Sequence, residues 1–233
     1  MTGNAGTARG AGARGTAGTG GNAGLARSTT GTTGRSTVTR TVHPIEQESF
    51  RILRSRLDTS HLPSLHRAVL ERVIHSSADL SYATDLVTDE DDLRSAHAAL
   101  HAGAPVVADV EMVAAGITAR RAVCRLPDAS SCDGLTRSAH AVRLAYAEVG
   151  PGAVWVIGCA PTALEELIAL DAAPALVIGM PVGFVGAAES KARLRESGLP
   201  AVSNVSEKGG SAVAAAALNA LLYTHRPLKE NDR

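Results

Sequence analysis

Aromatic residues make up only 3% of this 233-residue chain, with two phenylalanines, three tyrosines and one tryptophan. Any sizeable core must therefore be built from alanine, valine, leucine and isoleucine, whose small side chains suit helices packed closely on a parallel sheet. Cysteine is scarce as well. Cys124, Cys132 and Cys159 are odd in number, far apart and never in a CxxC pair. That excludes a cysteine-based zinc site and a disulfide framework, and it fits a reducing cytoplasm. No apolar run approaches the roughly 20 residues that span a bilayer. The N-terminus lacks the apolar stretch of a secretory signal. Acidic residues are missing from positions 1–40, which hold five arginines (Arg9, Arg14, Arg27, Arg35, Arg40). The formal net charge of zero thus hides a remainder with 18 basic and 23 acidic side chains.

What is present divides the chain into three. Residues 1–40 are nearly all Gly, Ala, Thr, Ser, Asn and Arg. They have too little apolar surface to offset the entropy of ordering and are expected to be a disordered tail. Their arginines offer charge to an anionic partner, but no nucleic-acid or membrane partner is expected. Residues 41–224 carry the folded domain, and 225–233 form a polar C-terminal tail.

The domain opens with helices. Pro44 starts one, with Ile45, Ser49, Ile52, Leu53 and Arg56 at helical spacing. Pro63 starts a second, with Leu65, Ala68, Val69 and Val73 on one face, running toward His75. Short apolar runs then alternate with amphipathic stretches. Strands are expected over 85–87, 105–108, 121–126, 153–158, 175–179 and 201–204. Helices are expected from a Thr88/Asp91 capping signal to about His101, then over 136–148, 162–170, 188–196 and 211–222. Such alternation predicts right-handed βαβ crossovers. The fold class is α/β: a single doubly wound domain whose mainly parallel sheet of about five strands is flanked by helices. Ligands of such sheets bind beyond the carboxyl ends of the strands. Three strand-to-helix turns fall there: 158–161, 179–186 and 206–211.

Within Gly179–Lys191, Gly183 and Gly186 follow a buried strand and open a helix, where free N–H groups favour an anion. Their spacing is not GxGxxG, and no P-loop occurs, so a nucleotide is not expected. Gly209 and Gly210 open the last helix in the same way. His75 ends a helix, with Arg72 one turn earlier on the same face; histidine exchanges protons near neutral pH. Thr136-Arg137 begins a helix, where the arginine suits a substrate carboxylate or a surface ion pair. Asp109 and Glu111 fall on one side of an extended segment, either as an acid/base pair or as a solvated loop. His97 and His101 stand four apart on a helix, but no third ligand side chain completes a set, so no metal is expected. Cys159 reads as a small turn residue.

In order along the chain stand His43-Pro-Ile-Glu-x-x-Ser49-Phe, Arg72-Val-Ile-His75, Gly103-Ala-Pro-x-x-x-Asp109-x-Glu-Met-Val, Thr136-Arg-Ser138, Ala160-Pro-Thr-Ala-Leu164, Gly179-Met-Pro-Val-Gly-Phe-Val-Gly-Ala-Ala-Glu-Ser-Lys191 and Lys208-Gly-Gly-Ser211. Over residues 42–224 this series resembles the precorrin-8X methylmutase (precorrin isomerase) family of vitamin B12 biosynthesis. The resemblance implies an isomerase that shifts a methyl group between neighbouring ring carbons of a tetrapyrrole, giving hydrogenobyrinate or its cobalt-bearing equivalent. It implies no cofactor, a cytoplasmic homodimer and a corrinoid ligand. It makes His75 the general acid, Ser49 and Arg72 ligand contacts beside it, and Arg137 a carboxylate partner. Thr136, Gly183, Gly186, Gly209 and Gly210 complete the expected binding set. Cys159 stands where the family usually has Asn, and Ser206-Glu207 where it often has Gly-Arg. The alternative is a non-catalytic tetrapyrrole binder or carrier of the same family.

Overall fold

Runs of Val, Ile and Leu too short for helices are the strands of the computed structural model, which describes residues 42–224. They are Leu86–Thr88 (β1), Val106–Ala108 (β2), Val154–Ile157 (β3), Leu176–Gly179 (β4) and Ala201–Asn204 (β5). They form one sheet in the order β1-β5-β4-β3-β2. β2 to β5 are parallel, while β1 pairs antiparallel with β5, Leu86 opposite Asn204. The helices are Pro44–Arg56 (α1), Ser64–Ser77 (α2), Tyr82–Asp85 (α3), Glu90–Ala102 (α4), Glu111–Gly116 (α5), Arg137–Val149 (α6), Pro161–Ala169 (α7), Ala187–Glu196 (α8) and Ser211–Tyr223 (α9).

Side chains alternate across the sheet with a period of two. Val154, Val156, Leu176 and Ile178 face a core shared with α1, α2, α4, α5 and α9. Trp155, Ile157 and Val177 face the opposite core, built with α6, α7 and α8. Each buried Val, Leu or Ile contributes about 1.5–3 kcal/mol. The lack of aromatics is met by close approach: a Cβ on Gly158 would lie 2.9 Å from Ser211 Cα and 3.0 Å from Ala214 Cβ. The doubly wound domain expected from the alternation is thus present.

Several expectations are corrected. Residues 121–126 are not a strand. Val123 makes a single bridge to Val107, and Leu126–Asp128 is a 3-10 turn. Arg120 is drawn to the carbonyls of Leu100 and Ala104, and Arg125 to Glu148 and Asp128, so the flanks leave the sheet edge. The first strand begins one residue late, because Asp85 closes α3. The N-cap of α4 is Asp89, whose carboxylate accepts from the N–H groups of Asp91 and Asp92. Thr88 instead donates to the Ala201 carbonyl. In α1 the inward residues are Glu46 and Leu53, while Ile45 is 74% exposed. Asp109 and Glu111 do not share a side, since Glu111 opens α5 and Asp109 turns into the core. The expected tails, 1–40 and 225–233, lie outside the described residues.

Candidate active site

His75 sits in the last turn of α2, half-buried, and α1 supplies its surroundings. Pro44 occupies the first turn of α1, and the His43 ring accepts from the Ile45 N–H at 3.2 Å. That start sets the phase that brings Ser49 Oγ within 2.7 Å of His75 Nδ1. Phe50 stacks on the imidazole, with ring centroids 5.0 Å apart and planes 16° from parallel. The Arg72 guanidinium lies over both Phe50 (5.3 Å) and Tyr223 (4.9 Å) and pairs with Glu46 at 2.8 Å. Arg72 is therefore committed within the chain, and it braces the wall beside His75. A cavity of about 110 Å³, lined by Ser49, Ile52, Arg56, His75 and Leu80 among others, opens at the imidazole. A shallower hollow of about 490 Å³ along α1 shares Ser49 and Ile52 with it.

The carboxyl ends of the strands form a second group. Gly183 N–H donates to the Glu207 carbonyl at 3.1 Å, and Gly210 N–H to the Met180 carbonyl at 2.9 Å. These two glycines tie the β4–α8 loop to the β5–α9 loop. Gly209 lies so close that an added Cβ would be 2.3 Å from Met180 O. Gly186, at φ 77°, is the N-cap of α8. Neither α8 nor α9 has a side-chain cap, so first-turn N–H groups remain for an anion. Thr136 Oγ1 caps α6 by accepting from Ala139 N–H at 3.2 Å and meets Thr162 Oγ1 at 2.9 Å. Arg137 is exposed and makes no ion pair among the described residues.

The loops stand on buried polar struts. Lys191 is fully buried and donates to Asn204 Oδ1 at 3.0 Å, to Lys208 O at 2.6 Å and to Ser206 O. Burial pulls its ammonium down to about 8, with Asp85 opposing. Burial pushes Asp85 upward, but hydrogen bonds from Ser206, Asn204 and Val205 outweigh it and hold the carboxyl below its usual range. Asp109 accepts from the N–H groups of Gly158, Cys159 and Ala160 at 2.8–3.1 Å. Those donors are spent, so the 158–161 turn does not offer them to a ligand. Burial still raises the Asp109 carboxyl, which is neither a solvated loop residue nor aimed at a substrate. The two groups are linked by Lys208, which pairs with Asp79, four residues beyond His75, at 2.8 Å. A larger hollow of about 660 Å³ lies elsewhere, around Glu111, Arg121 and Cys124. It is lined by none of the expected site residues.

A family model described as precorrin-8X methylmutase matches residues 44–224. The chain belongs to the precorrin-8X methylmutase family. It is 39% identical over 196 residues to a cobalt-precorrin-8 methylmutase of Salmonella typhimurium, covering 77% of this chain and 93% of that protein. It is 41% identical over 199 residues to a precorrin-8X methylmutase of a Sinorhizobium species, covering 78% and 94%. The solved precorrin-8X methylmutase of Thermus thermophilus superposes with a TM-score of 0.69 at 34% identity, over 77% of this chain and 96% of that one. The family is one of isomerases of cobalamin biosynthesis, so the sequence-based expectation of a methylmutase stands.

Seen as a methylmutase site, the structure brings Ser49, Arg72 and His75 together, and gathers Gly183, Gly186, Gly209 and Gly210 at the strand ends. Thr136 meets Thr162 at the start of α7, whose Pro161 lies 3.5 Å from a Cβ built on Gly186. Phe50, Glu46, Tyr223 and Asp79 were not singled out as site residues. Phe50 and Glu46 stood within the His43–Phe50 motif, but nothing local marks which helix faces meet.

Proposed function

We propose that this chain catalyses the methyl shift of its family on a precorrin-8-type tetrapyrrole, with His75 as the proton donor. The methyl group leaves one ring carbon and bonds to the next, in a 1,5-sigmatropic rearrangement that neither adds nor removes electrons overall. Protonating the ring system withdraws electron density and eases migration; the proton returns when the product forms. Such acid assistance is worth about 10²–10⁴ in rate.

The observation that carries this reading is the Ser49–His75 contact at 2.7 Å, beside a cavity that opens on the imidazole. With the Nδ1–H donated to Ser49, the other ring nitrogen is left to hold the proton for the substrate. Phe50 keeps the ring in plane. Arg137 and the uncapped starts of α8 and α9 suit the substrate's carboxylate arms. Gly183 and Gly210 serve by holding the loops that carry those starts, while Thr136 fixes the helix start that carries Arg137. The relatives' names divide between cobalt-precorrin-8 and precorrin-8X, so both substrates belong in the assay.

We further place the chain in the cytoplasm as a homodimer. Free thiols at Cys124, Cys132 and Cys159 suit a reducing compartment. No described helix is long and apolar enough to cross a membrane. Val182, Phe184 and Val185 are exposed on the loop before α8 and offer an apolar surface to a second copy.

The test is spectral. Wild type should convert substrate to the more conjugated, red-shifted product. His75→Ala should bind substrate yet lose turnover by about 10²-fold or more. Full turnover by His75→Ala overturns the mechanism; binding without turnover by the wild type points to a carrier.

A further inference from the structure

We propose that His97, His101 and the main-chain carbonyl of Thr224 form a binding site for one divalent transition-metal ion of the zinc, cobalt or nickel kind. His97 and His101 are one turn apart on α4, and Thr224 follows the last residue of α9. Three atoms converge. His97 Nε2 and His101 Nε2 are 3.0 Å apart, His97 Nε2 is 2.9 Å from Thr224 O, and His101 Nε2 is 3.3 Å from the same oxygen. The sequence offered only two ligand side chains. The third ligand is a carbonyl, which sequence spacing does not reveal.

Protons alone satisfy this triangle poorly. A neutral imidazole nitrogen is either a donor or an acceptor. If both rings donate to the carbonyl, two N–H groups face each other across 3.0 Å. If one ring donates to the other, an unprotonated nitrogen faces the carbonyl oxygen. Each arrangement leaves one edge with two donors or two acceptors facing each other; the mildest, with His97 donating to both neighbours, leaves the His101 nitrogen and the carbonyl oxygen 3.3 Å apart without a proton between them. A cation within reach of all three satisfies every edge at once. Zinc–nitrogen bonds of about 2.0–2.1 Å set tetrahedral ligands roughly 3.3–3.4 Å apart, so the triangle needs to open by only a few tenths of an ångström. His97 is 2% exposed, so packing holds its ring at this corner of the triangle. The exposed His101 leaves the ion's remaining position open to water. Imidazole ligands select this class of ion over calcium or magnesium. The ion would clamp the end of α9 to α4, directly beside Tyr223, whose ring supports Arg72.

The experiment uses the full chain without a histidine tag, stripped by a chelator and dialysed. Zinc is titrated by calorimetry, and cobalt(II) by its visible absorption. The expected result is one saturable equivalent, imidazole-type cobalt bands and a higher melting temperature. His101→Ala, at an exposed position, should weaken binding by at least about tenfold while turnover without added metal stays at the wild-type level. His97→Gln, checked for folding by its melting curve, should do the same. His75→Ala should bind metal like the wild type. No saturable site, unchanged binding by His101→Ala, or loss of binding in His75→Ala in place of the α4 variants overturns the proposal.

Discussion

Ser49 and His75 are 26 positions apart in the chain, yet their side chains touch because α1 crosses α2 at one turn of each. Without the family resemblance, neither the choice of this histidine among eight nor its partner on Nδ1 could be read from the sequence. Arg72 shows the converse. The family resemblance made it a ligand contact, and in the structure it pairs with Glu46 and lies over Phe50 and Tyr223. Arg137, exposed and with no ion pair among the described residues, is the guanidinium we propose for a substrate carboxylate. Arg137→Ala should therefore weaken substrate binding by about 1.5–3 kcal/mol, roughly 10–100-fold in KM. Its melting temperature should hold, as for most exposed substitutions. A fall in kcat with KM unchanged would place Arg137 in the chemical step instead. Asp79 adds a pH prediction. Hydrogen bonds from Lys208 and Ser81 hold its carboxyl near 2, against 3.8 for the free group. A lowered pKa means stability present above pH 3.8 and lost as pH falls through about 2. Wild type should exceed Asp79→Asn in stability at pH 5 and lose that advantage by about pH 2. Parallel acid-unfolding curves across that range would refute it.

Elements with a repeating apolar face were legible. Helices α2, α6, α7, α8 and α9 and the buried strands β3 to β5 follow the 3.6- and 2-residue periods within a residue or two of their expected bounds. The failures have local causes. Residues 121–126 have the composition of a strand but only one rung to pair with, because arginines on either side are held elsewhere. Short α3 and α5 have too few turns to show a period. From sequence Asp109 could be an acid/base carboxylate or a solvated loop residue, and only its three N–H donors reveal a strut for the β3–α7 turn. At the loop pair the glycines are more constrained than an anion-binding turn requires. A methyl on Gly209 would meet Met180 O at 2.3 Å and Pro181 O at 2.8 Å, both main-chain atoms that cannot swing aside. Its φ of 151° adds strain for any other residue. Gly209→Ala should cost about 2–3 kcal/mol in denaturant unfolding. A loss under about 0.5 kcal/mol would show that the two loops separate freely.

At the scale of the molecule, the cavity at His75 is small for its task. About 110 Å³ admits only an edge of a tetrapyrrole, since even drug-sized ligands fill pockets of about 300–1,000 Å³. On the proposed mechanism, the macrocycle lies across the open hollow on α1 or is covered by a second copy. Ile45 at 74% exposure borders that hollow, and Phe184 at 96% and Val185 at 88% stand on the loop before α8. Both observations favour the dimer. Light scattering on the full chain, and on a chain lacking residues 1–40, should give a dimer's mass for both, with equal melting temperatures. A monomer in either case, or a marked drop in melting temperature on removing 1–40, would overturn the dimer or the passive role of that segment.

Sequence alone determined the class of fold, the alternating elements and the family, because apolar periodicity is local and the 179–191 segment is long and specific. Ring chemistry is shared by all eight histidines, and it was the family resemblance that singled out His75. Tertiary structure decided which groups act together. Whether an N–H is spent or free, whether a charge is paired, and which faces of α1 and α2 meet depend on contacts between distant positions. The paired Arg72, the loop-tying Gly183 and Gly210 and the carbonyl between His97 and His101 all come from such contacts, which no local pattern encodes.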